Sequence, residues 1–436
     1  MSPKRRFHLG IDYGTSASKI VFRDYGAPGG EAAIIVLRNG SIRIPSRVCI
    51  TPAEFLFGDD QKKSDDCDIR ESLKMRVATE VTGNPTYYLG PLDDLPTGFS
   101  ACDLATLTVW HLISEGHRAI EKYLVGRTES FTVGMTMGVP MAFYKDEKLR
   151  SNFLAIARKA WALYRNEGLA HSSILIERAQ SLLHKYSAAA LSPIPEYEVR
   201  DWIRSEAEAA MWWPFQSPAI SEGRYAKVDI GAGTTHASLF QIYSNSAGLK
   251  SGMAFSGAVS IPVGMDAVDR AIADYKGLGS DFFSMRGLEE EIIRSDAAVR
   301  GALLPVQEEI CEAYRKSWIE TYQKIREYVA ERTAWNTHKV FVIGGGSLVS
   351  TLVEAVRIHP GRRERLELAV LEEPASLRRA DNTKVPKNEL PFVAVAHGLS
   401  VIGLSIPEVY TPDEVPPMPE INERRERLDH EDIYAK

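Results

Sequence analysis

The sequence predicts an α/β fold built from two duplicated lobes. The chain has 436 residues, more than one hydrophobic core usually supports, so two lobes are the default expectation. Short runs typical of strands alternate with stretches of helical periodicity. The motif Gly10–Lys19 recurs at Lys227–His236, with Asp12 matching Asp229. This repeat indicates that each lobe is built on the same strand-turn-strand unit.

Charge and composition argue against several functional classes. The formal net charge is -6 and the pI is near 6.0, so we expect no nucleic-acid partner, which would need a basic face. No apolar run approaches the ~20 residues of a membrane helix, so we expect no membrane partner. The four cysteines form no C-x-x-C pair and predict neither a metal–thiolate site nor redox chemistry. A reducing cytoplasm is the expected compartment.

The first lobe is expected at residues 1–190. Its opening strands, at 7–12, 17–23 and 32–37, predict an antiparallel meander. Residues 40–103 show little helical periodicity and predict an inserted subdomain. The elements that follow are a helix at 104–124, a strand at 131–140, a helix at 146–164, a strand at 173–177 and a helix at 179–190.

A connecting segment, 191–225, is expected to lead into a second lobe at 226–406. This lobe repeats the meander and then carries a charged helical insertion at about 267–335. Its last elements are a strand at 339–343, a glycine turn, a helix at 348–357 and a buried helix at 392–404. The tail, 407–436, is rich in proline and then charged, which predicts an arm or a disordered segment.

The repeated motif has the parts that a phosphate-binding turn needs. Backbone N–H groups must approach the phosphate oxygens closely, and glycine permits this because it accepts positive φ and has no side chain. An acid must hold a divalent metal or its waters. Asp12-x-Gly14-Thr15-Ser16 and Asp229-x-Gly231-x-Gly233-Thr234-Thr235 both place an acid at a strand end before such a turn. One such turn is a weak signal, but the matched pair is specific.

These motifs resemble the two phosphate motifs and the adenosine motif of the superfamily that holds actin, the seventy-kilodalton heat-shock chaperones and the sugar kinases. The resemblance runs from about residue 7 to 404 and implies two actin-like, ribonuclease H-like lobes around a nucleotide cleft. Within that superfamily, the sequence is most similar to the chaperones' nucleotide-binding domain. The segments that carry this closer likeness are Ile44–Val48, Phe57–Gly58, Gly138–Pro140 and Phe392–Gly398.

The resemblance implies ATP or ADP and Mg²⁺ as ligands. Asp12 and Asp229 would hold magnesium, through water. Lys74 resembles the lysine that the chaperones place on the γ-phosphate. The residues that would cradle the nucleotide are Gly14, Thr15, Ser16, Lys19, Gly231, Ala232, Gly233, Thr234, Thr235, Gly264, Gly344, Gly345, Gly346 and Ser347.

Some positions resemble actin instead. Lys19 falls where actin keeps a phosphate-binding lysine, and His236 where actin has a histidine near the attacking water. Residues 177–186 admit two alignments. One places Glu177 on the chaperones' metal-shell glutamate, and the other places Gln180 on actin's water-orienting glutamine. Glu177, Gln180, Thr234 and His236 therefore all remain candidates for orienting water.

The resemblance implies slow ATP hydrolysis, since a water that is only oriented reacts slowly. Slow turnover suits a chaperone-like conformational switch. Only the tail follows the last predicted helix, so we expect no peptide-binding domain, and a separate protein partner, which the sequence does not identify, would read the nucleotide state. A filament-forming bacterial actin, with self-assembly, is the alternative. A small-molecule kinase is a third hypothesis, although no acid is placed as a sugar-hydroxyl base.

Overall fold

The computed structural model describes residues 5–27, 32–58, 67–88, 92, 94–125, 130–187, 202–244, 250–278, 285, 288–325, 338–362, 364–374, 376–379, 383–402 and 408–410. The strands are β1 Arg5–Asp12, β2 Ala17–Asp24, β3 Ala32–Ile35, β4 Ile44–Pro45, β5 Val48–Ile50, β6 Glu54–Phe57, β7 Asp68–Arg70, β8 Phe131–Val139, β9 Ser173–Leu175, β10 Ile203–Ser205, β11 Gly223–Ile230, β12 Thr235–Ser244, β13 Lys250–Ile261, β14 Lys339–Gly344, β15 Leu377–Arg379 and β16 Glu408–Tyr410.

The helices lie between and beside these strands, so the chain is a mixed α/β protein. They are α1 Leu73–Thr82, α2 Ala101–Tyr123, α3 Met141–Lys145, α4 Glu147–Glu167, α5 Ile176–Lys185, α6 Glu206–Gln216, α7 Met265–Tyr275, α8 Glu289–Ser295, α9 Ala297–Ala302, α10 Leu304–Ile325, α11 Ser350–Val356 and α12 Leu390–Leu399.

Two large sheets share one pattern of strand order. The first runs β10-β8-β1-β2-β3-β15 and the second runs β14-β11-β12-β13-β16. In each sheet an antiparallel meander, β1-β2-β3 or β11-β12-β13, is followed by a parallel strand on the far side of its first member. The predicted meanders are therefore confirmed. The connections into β8 and β14 are long enough to carry helices, as parallel pairing requires.

The predicted insertion in the first half contains a helix that the sequence pattern does not reveal. Strands β7-β5-β6-β9 form a small sheet, and α1 follows it. Almost every residue of α1 is buried, including the charged Lys74 and Arg76. A helix that is buried on all sides has no polar stripe, and the helical period disappears from the sequence.

Two segments contain short strands that the sequence did not predict. The segment 191–225, expected as a connection, contains β10, which is a strand of the first sheet beside β8. The tail, expected as an arm or as disordered, contributes β16, which pairs in parallel with Gly252–Ala254 of β13. Both strands have three residues, too few for an alternating pattern to be recognised. Residues 411–436 lie outside the described part of the chain.

Helix α12 packs against α6 and against the first sheet through glycine contacts. A Cβ atom at Gly398 would lie 1.8 Å from the carbonyl oxygen of Ala209 on α6. A Cβ atom at Gly10 of β1 would lie 2.1 Å from the carbonyl oxygen of Ala396. Because only glycine permits such close approach, these positions fix where α12 lies.

The structure pairs Cys49 with Cys67 in a disulfide whose Cα atoms are 5.5 Å apart. Nothing in the cysteine spacing predicts this pair. Among the described residues, no helix combines the length and the apolar character needed to cross a membrane.

Candidate functional site

The two repeated turns carry matching acid–base positions. In the β1–β2 hairpin Asp12 lies opposite Lys19, and in the β11–β12 hairpin Asp229 lies opposite His236. The Lys19 ammonium lies 3.2 Å from an Asp12 carboxylate oxygen. The sequence match between these hairpins is thus also a match of strand register.

The two hairpins face one cleft, together with α1, α6, α7, α8, α12 and the turn after β14. The predicted site residues that line it are Asp12, Gly14, Thr15, Ser16, Lys19, Lys74, Asp229, Gly231, Ala232, Thr234, His236, Gly344 and Gly345. The structure therefore brings most of the predicted residues together.

Glycine is required at two turns that border the cleft. A Cβ atom at Gly14 would lie 2.1 Å from the carbonyl oxygen of Ala17. Gly344 has φ of 77°, and a Cβ atom there would lie 2.6 Å from Oδ1 of Asp229. A side chain at either position would distort the turn or displace the Asp229 carboxylate.

Other predicted residues support the cleft from behind. Gly264 ends the loop before α7, and the first amides of that helix donate to the carbonyls of Gly231 and Ala232. A Cβ atom at Gly233 would lie 3.0 Å from Cγ2 of Thr15 in the opposite hairpin, so glycine leaves room there for the two hairpins to approach. The supporting contacts of the remaining predicted residues are Thr235 Oγ1 to the Val263 carbonyl at 2.8 Å, Ser347 Oγ to the Gly344 carbonyl at 2.7 Å, and Gly346 against Ile230.

Glu177 and Gln180 do not lie in the cleft. Both are exposed on α5, which follows the edge strand β9 of the small sheet. Gln180 faces Gly98 instead. At 173–185 a short strand leads directly into a helix. This pattern also occurs at 203–216, where the strand belongs to the first large sheet.

Glu206 is an acidic cleft residue that the sequence did not single out. It follows β10 directly, begins α6 and lines the cleft. The Lys74 ammonium lies 2.5 Å from its Oε1, and both side chains are buried. Burial raises the pKa of Glu206, while the Lys74 charge opposes that shift. The run Ile203-Arg-Ser-Glu206 followed by alanines was the signal that could have identified this acid.

Lys227 is a second residue at the site that the sequence did not single out, and it lies behind the cleft lining, next to Asp229. It is fully buried in β11, and its ammonium lies 3.9 Å from Oδ2 of Asp229. Burial lowers the pKa of Lys227 and raises the pKa of Asp229. Each group offsets part of the other's burial cost, so the pair fixes Asp229 at the floor of the cleft.

His236 is a neutral, hydrogen-bonded residue. Its Nε2 lies 2.9 Å from Oγ1 of Thr234, and its Nδ1 contacts the hydroxyl of Ser260. Burial, with the nearby Lys227 and Lys74 charges, lowers the pKa of His236 well below its ordinary value. A neutral imidazole bonded to Thr234 can orient a polar group in the cleft but cannot supply a positive charge.

Another part of the cleft lining combines apolar and charged side chains. The Arg43 guanidinium lies 4.2 Å from the ring centroid of Phe392, a cation–π contact. Leu348 and Val395 line the same region, while Glu289 and Glu290 form the α8 side. Such a surface suits a planar, partly polar group that carries hydroxyls, because hydroxyls can donate hydrogen bonds to the Glu289 and Glu290 carboxylates.

The acids near the two hairpins do not form a preformed metal cage. Within the described ranges no group of three or more His, Cys, Asp or Glu side chains is arranged to hold a metal ion. Asp12 and Asp229 have lysine neighbours already. Magnesium commonly binds through one or two carboxylates, waters and substrate phosphates, and this donor set fits that mode.

The cleft is narrow in this arrangement. It encloses about 210 Å³, below the range of roughly 300–1,000 Å³ that is usual for small-molecule pockets. The two hairpins approach each other closely where Gly233 faces Thr15. A large ligand would therefore enter as the walls move apart.

A comparison of the chain with models of known protein families found no match. A comparison with curated proteins found none either.

Proposed function

We propose that the cleft binds ATP with magnesium and hydrolyses it slowly, and that the opening and closing of the cleft is the output. The observation that carries this proposal is the meeting of two matched acid–glycine turns, Asp12–Gly14 and Asp229–Gly231, across one cleft with the Lys74–Glu206 pair between them. Each large sheet contains an antiparallel meander with a parallel strand beside its first member, and this shared arrangement supports the proposal of duplicated actin-like lobes.

The phosphate chain would lie between the two hairpins. Backbone amides of the Gly14–Ser16 and Gly231–Thr235 turns would donate to its oxygens. Lys19 and Lys74 would exchange their carboxylate partners for phosphate oxygens, which neutralises the charge that develops on the γ-phosphate. The nucleoside would extend towards Gly344, Gly345 and the Arg43–Phe392 pair.

Asp12 and Asp229 would hold magnesium through its waters. Bound magnesium would supply charge neutralisation on the phosphates. Lys227 keeps the Asp229 carboxylate in place beneath that position, at 3.9 Å.

The attacking water would be oriented rather than strongly activated. Glu206, Thr234 and His236 border the space between the hairpins and can accept or donate hydrogen bonds there. The neutral imidazole of His236 is already bonded to Thr234, so it directs a water without a full positive charge. Such a site favours slow turnover, as a switch requires. A protein partner that recognises the open or closed state is part of the proposal.

Measurement of phosphate release tests the hydrolysis. We expect slow release from Mg-ATP by the purified chain, and a loss of about 100-fold in Asp12→Asn, because a charge in the site is removed. Asp274→Asn, on the exposed end of α7, is the control and should retain the wild-type rate. Release at equal rates from both variants would show that the activity does not come from this cleft.

A filament-forming ATPase is the second candidate. The Lys19–Asp12 pair and the placement of His236 opposite Asp229 favour it, since both are actin-like features. Sedimentation in an ultracentrifuge with and without ATP separates the candidates. The switch proposal predicts that the chain stays in the supernatant under both conditions, and ATP-dependent pelleting would favour the filament.

A further inference from the structure

A second cavity lies outside the cleft, beside the carboxyl ends of α6 and α12. It measures about 620 Å³, within the range of roughly 300–1,000 Å³ that is usual for small-molecule sites. None of the residues that line it lines the cleft. By burial, we call the buried Arg23 and His397 of its lining the floor, the buried Trp212 and Trp213 the wall, and the exposed Glu372 and Glu373 the rim.

The floor contains a buried hydrogen-bond donor that has no acceptor in the described part of the chain. The Arg23 Nη2 lies 3.2 Å from Nε2 of His397. A guanidinium can only donate, so Nε2 of His397 accepts and the ring proton lies on Nδ1. Nδ1 has no hydrogen-bond partner among the described residues, although His397 is only 3% exposed. A buried N–H donor needs an oxygen acceptor, and the cavity is where one could enter.

The neighbouring charge favours an anionic acceptor. Arg23 is 5% exposed and lies at the same floor, so its guanidinium adds a positive field at the His397 donor. Burial and the Arg23 charge also lower the pKa of His397, which keeps the imidazole neutral and the Nδ1 proton in place. A carboxylate meets both groups better than a neutral carbonyl does.

The wall and the rim limit what that anion can be. The Trp213 ring packs 5.3 Å from the His397 ring, and Trp212 stacks on Phe215, so the wall is aromatic. At the rim, Glu372 accepts from Ser217 and Glu373 accepts from the Val385 amide. Two acids at the entrance disfavour nucleotides and other polyanions. A ligand with one negative charge and an apolar body fits all three surfaces. Its charge suits the floor, its body suits the aromatic wall, and one charge is repelled less than several by the acids at the rim.

We propose that this cavity is a binding site for a small monocarboxylate with an aromatic or aliphatic body. The carboxylate lies at the Arg23–His397 floor and the apolar body lies against Trp213. The site is separate from the proposed nucleotide site, although α6 and α12 border both.

The test uses two matched probes, 4-(trifluoromethyl)phenylacetate and its neutral amide, observed by ¹⁹F NMR on the full chain at millimolar concentration. The expected result is saturable line broadening for the carboxylate and binding about tenfold weaker for the amide, because a charge-assisted hydrogen bond is lost. Equal binding of both probes, or no broadening of the carboxylate signal, overturns the proposal.

Two variants locate the site. Gln216→Trp places a large side chain at the entrance and should abolish carboxylate binding, while Glu308→Trp, an exposed position on α10, should leave it unchanged. His397→Phe keeps a ring beside Trp213 but removes the donor, and should weaken binding about tenfold. Unchanged carboxylate binding in Gln216→Trp would place the probe elsewhere and overturn the assignment.

Discussion

Three lysine–carboxylate pairs determine the chemistry of the cleft at the scale of single residues. Each of three acids has one lysine ammonium beside it. The pairs are Lys19 with Asp12, Lys74 with Glu206 and Lys227 with Asp229. Two of these lysines line the cleft, and the third lies buried beneath it. A phosphate chain would compete with the acids for the first two lysines, which couples ligand binding to side-chain movement.

Lys74→Met tests this competition. The substitution leaves the Glu206 carboxylate buried without its partner, so we expect a loss of about 3 kcal/mol in the free energy of unfolding. We also expect about 100-fold slower ATP hydrolysis, because the substitution removes the Lys74 ammonium that would neutralise charge on the γ-phosphate. Urea denaturation and phosphate release measure the two effects.

Lys159→Met is the matched control. Lys159 pairs with Asp103 at 3.2 Å outside the cleft, and both side chains are partly exposed. This substitution should cost less than about 1 kcal/mol and leave hydrolysis unchanged. Equal hydrolysis rates in the two variants would mean that Lys74 has only a structural role.

Sequence patterns predicted the acids and glycines of the repeated motif, and the resemblance also supplied Lys74, Gly344 and Gly345, but Glu206 and Lys227 were missed. Asp12, Lys19 and Asp229 could be identified because two copies of one turn support each other. Glu206 was missed because β10 is too short to mark a strand end. Lys227 was missed because a lysine in a strand ordinarily points to solvent, and only the fold shows that this one is buried.

At the scale of elements, the contact between α6 and α12 holds the walls of the cleft. α6 supplies Glu206, and α12 supplies Phe392 and Val395 to the same cleft. Gly398 of α12 meets the backbone of α6 at Ala209. Backbone atoms cannot move aside as a flexible side chain can, so this contact tolerates no added methyl group.

Gly398→Ala should therefore destabilise the protein by several kcal/mol, because the added Cβ atom would lie 1.8 Å from the Ala209 carbonyl oxygen. Gly301→Ala on α9 is the matched control, since a Cβ atom there would meet no atom within 4 Å. It should raise stability by about 0.5–1 kcal/mol through helix propensity. Urea midpoints measure both, and an equal change in the two variants would contradict the packing described.

Helices and strands could be predicted from the sequence where their buried residues recur with a regular period. Strands of the two meanders alternate or run apolar, and their positions agree with the prediction within a few residues. α1 escaped prediction because it is buried all round, and β16 because three residues contain no period. The motif repeat, and not any local signal, predicted that the same strand-turn-strand unit occurs twice.

At the scale of the whole molecule, buried histidines link stability to pH. Burial lowers the pKa of His8 to about 3 and the pKa values of His236 and His397 well below 6.5. In the unfolded chain these histidines take up protons below about pH 6.5, while in the folded protein they stay neutral. The unfolded state then binds more protons, so these groups make stability fall as pH decreases.

His397→Phe measures this linkage. Each such histidine contributes up to about 1.4 kcal/mol per pH unit, and the raised pKa values of Asp229 and Glu206 act in the opposite direction. Between pH 6.5 and 5 the variant should lose up to about 1.4 kcal/mol per pH unit less than the wild type. Parallel slopes for the two proteins would mean that His397 is protonated in the folded state.

The central claim is that the cleft binds ATP, and calorimetric titration of the purified chain with ATP in magnesium tests it most directly. We predict saturable binding that weakens at least about tenfold when Asp12→Asn and Asp229→Asn are combined, because the groups for the metal waters lose their charge. Circular dichroism of the double variant controls for folding. No binding of any nucleotide to the folded wild-type chain at millimolar concentration would contradict the claim.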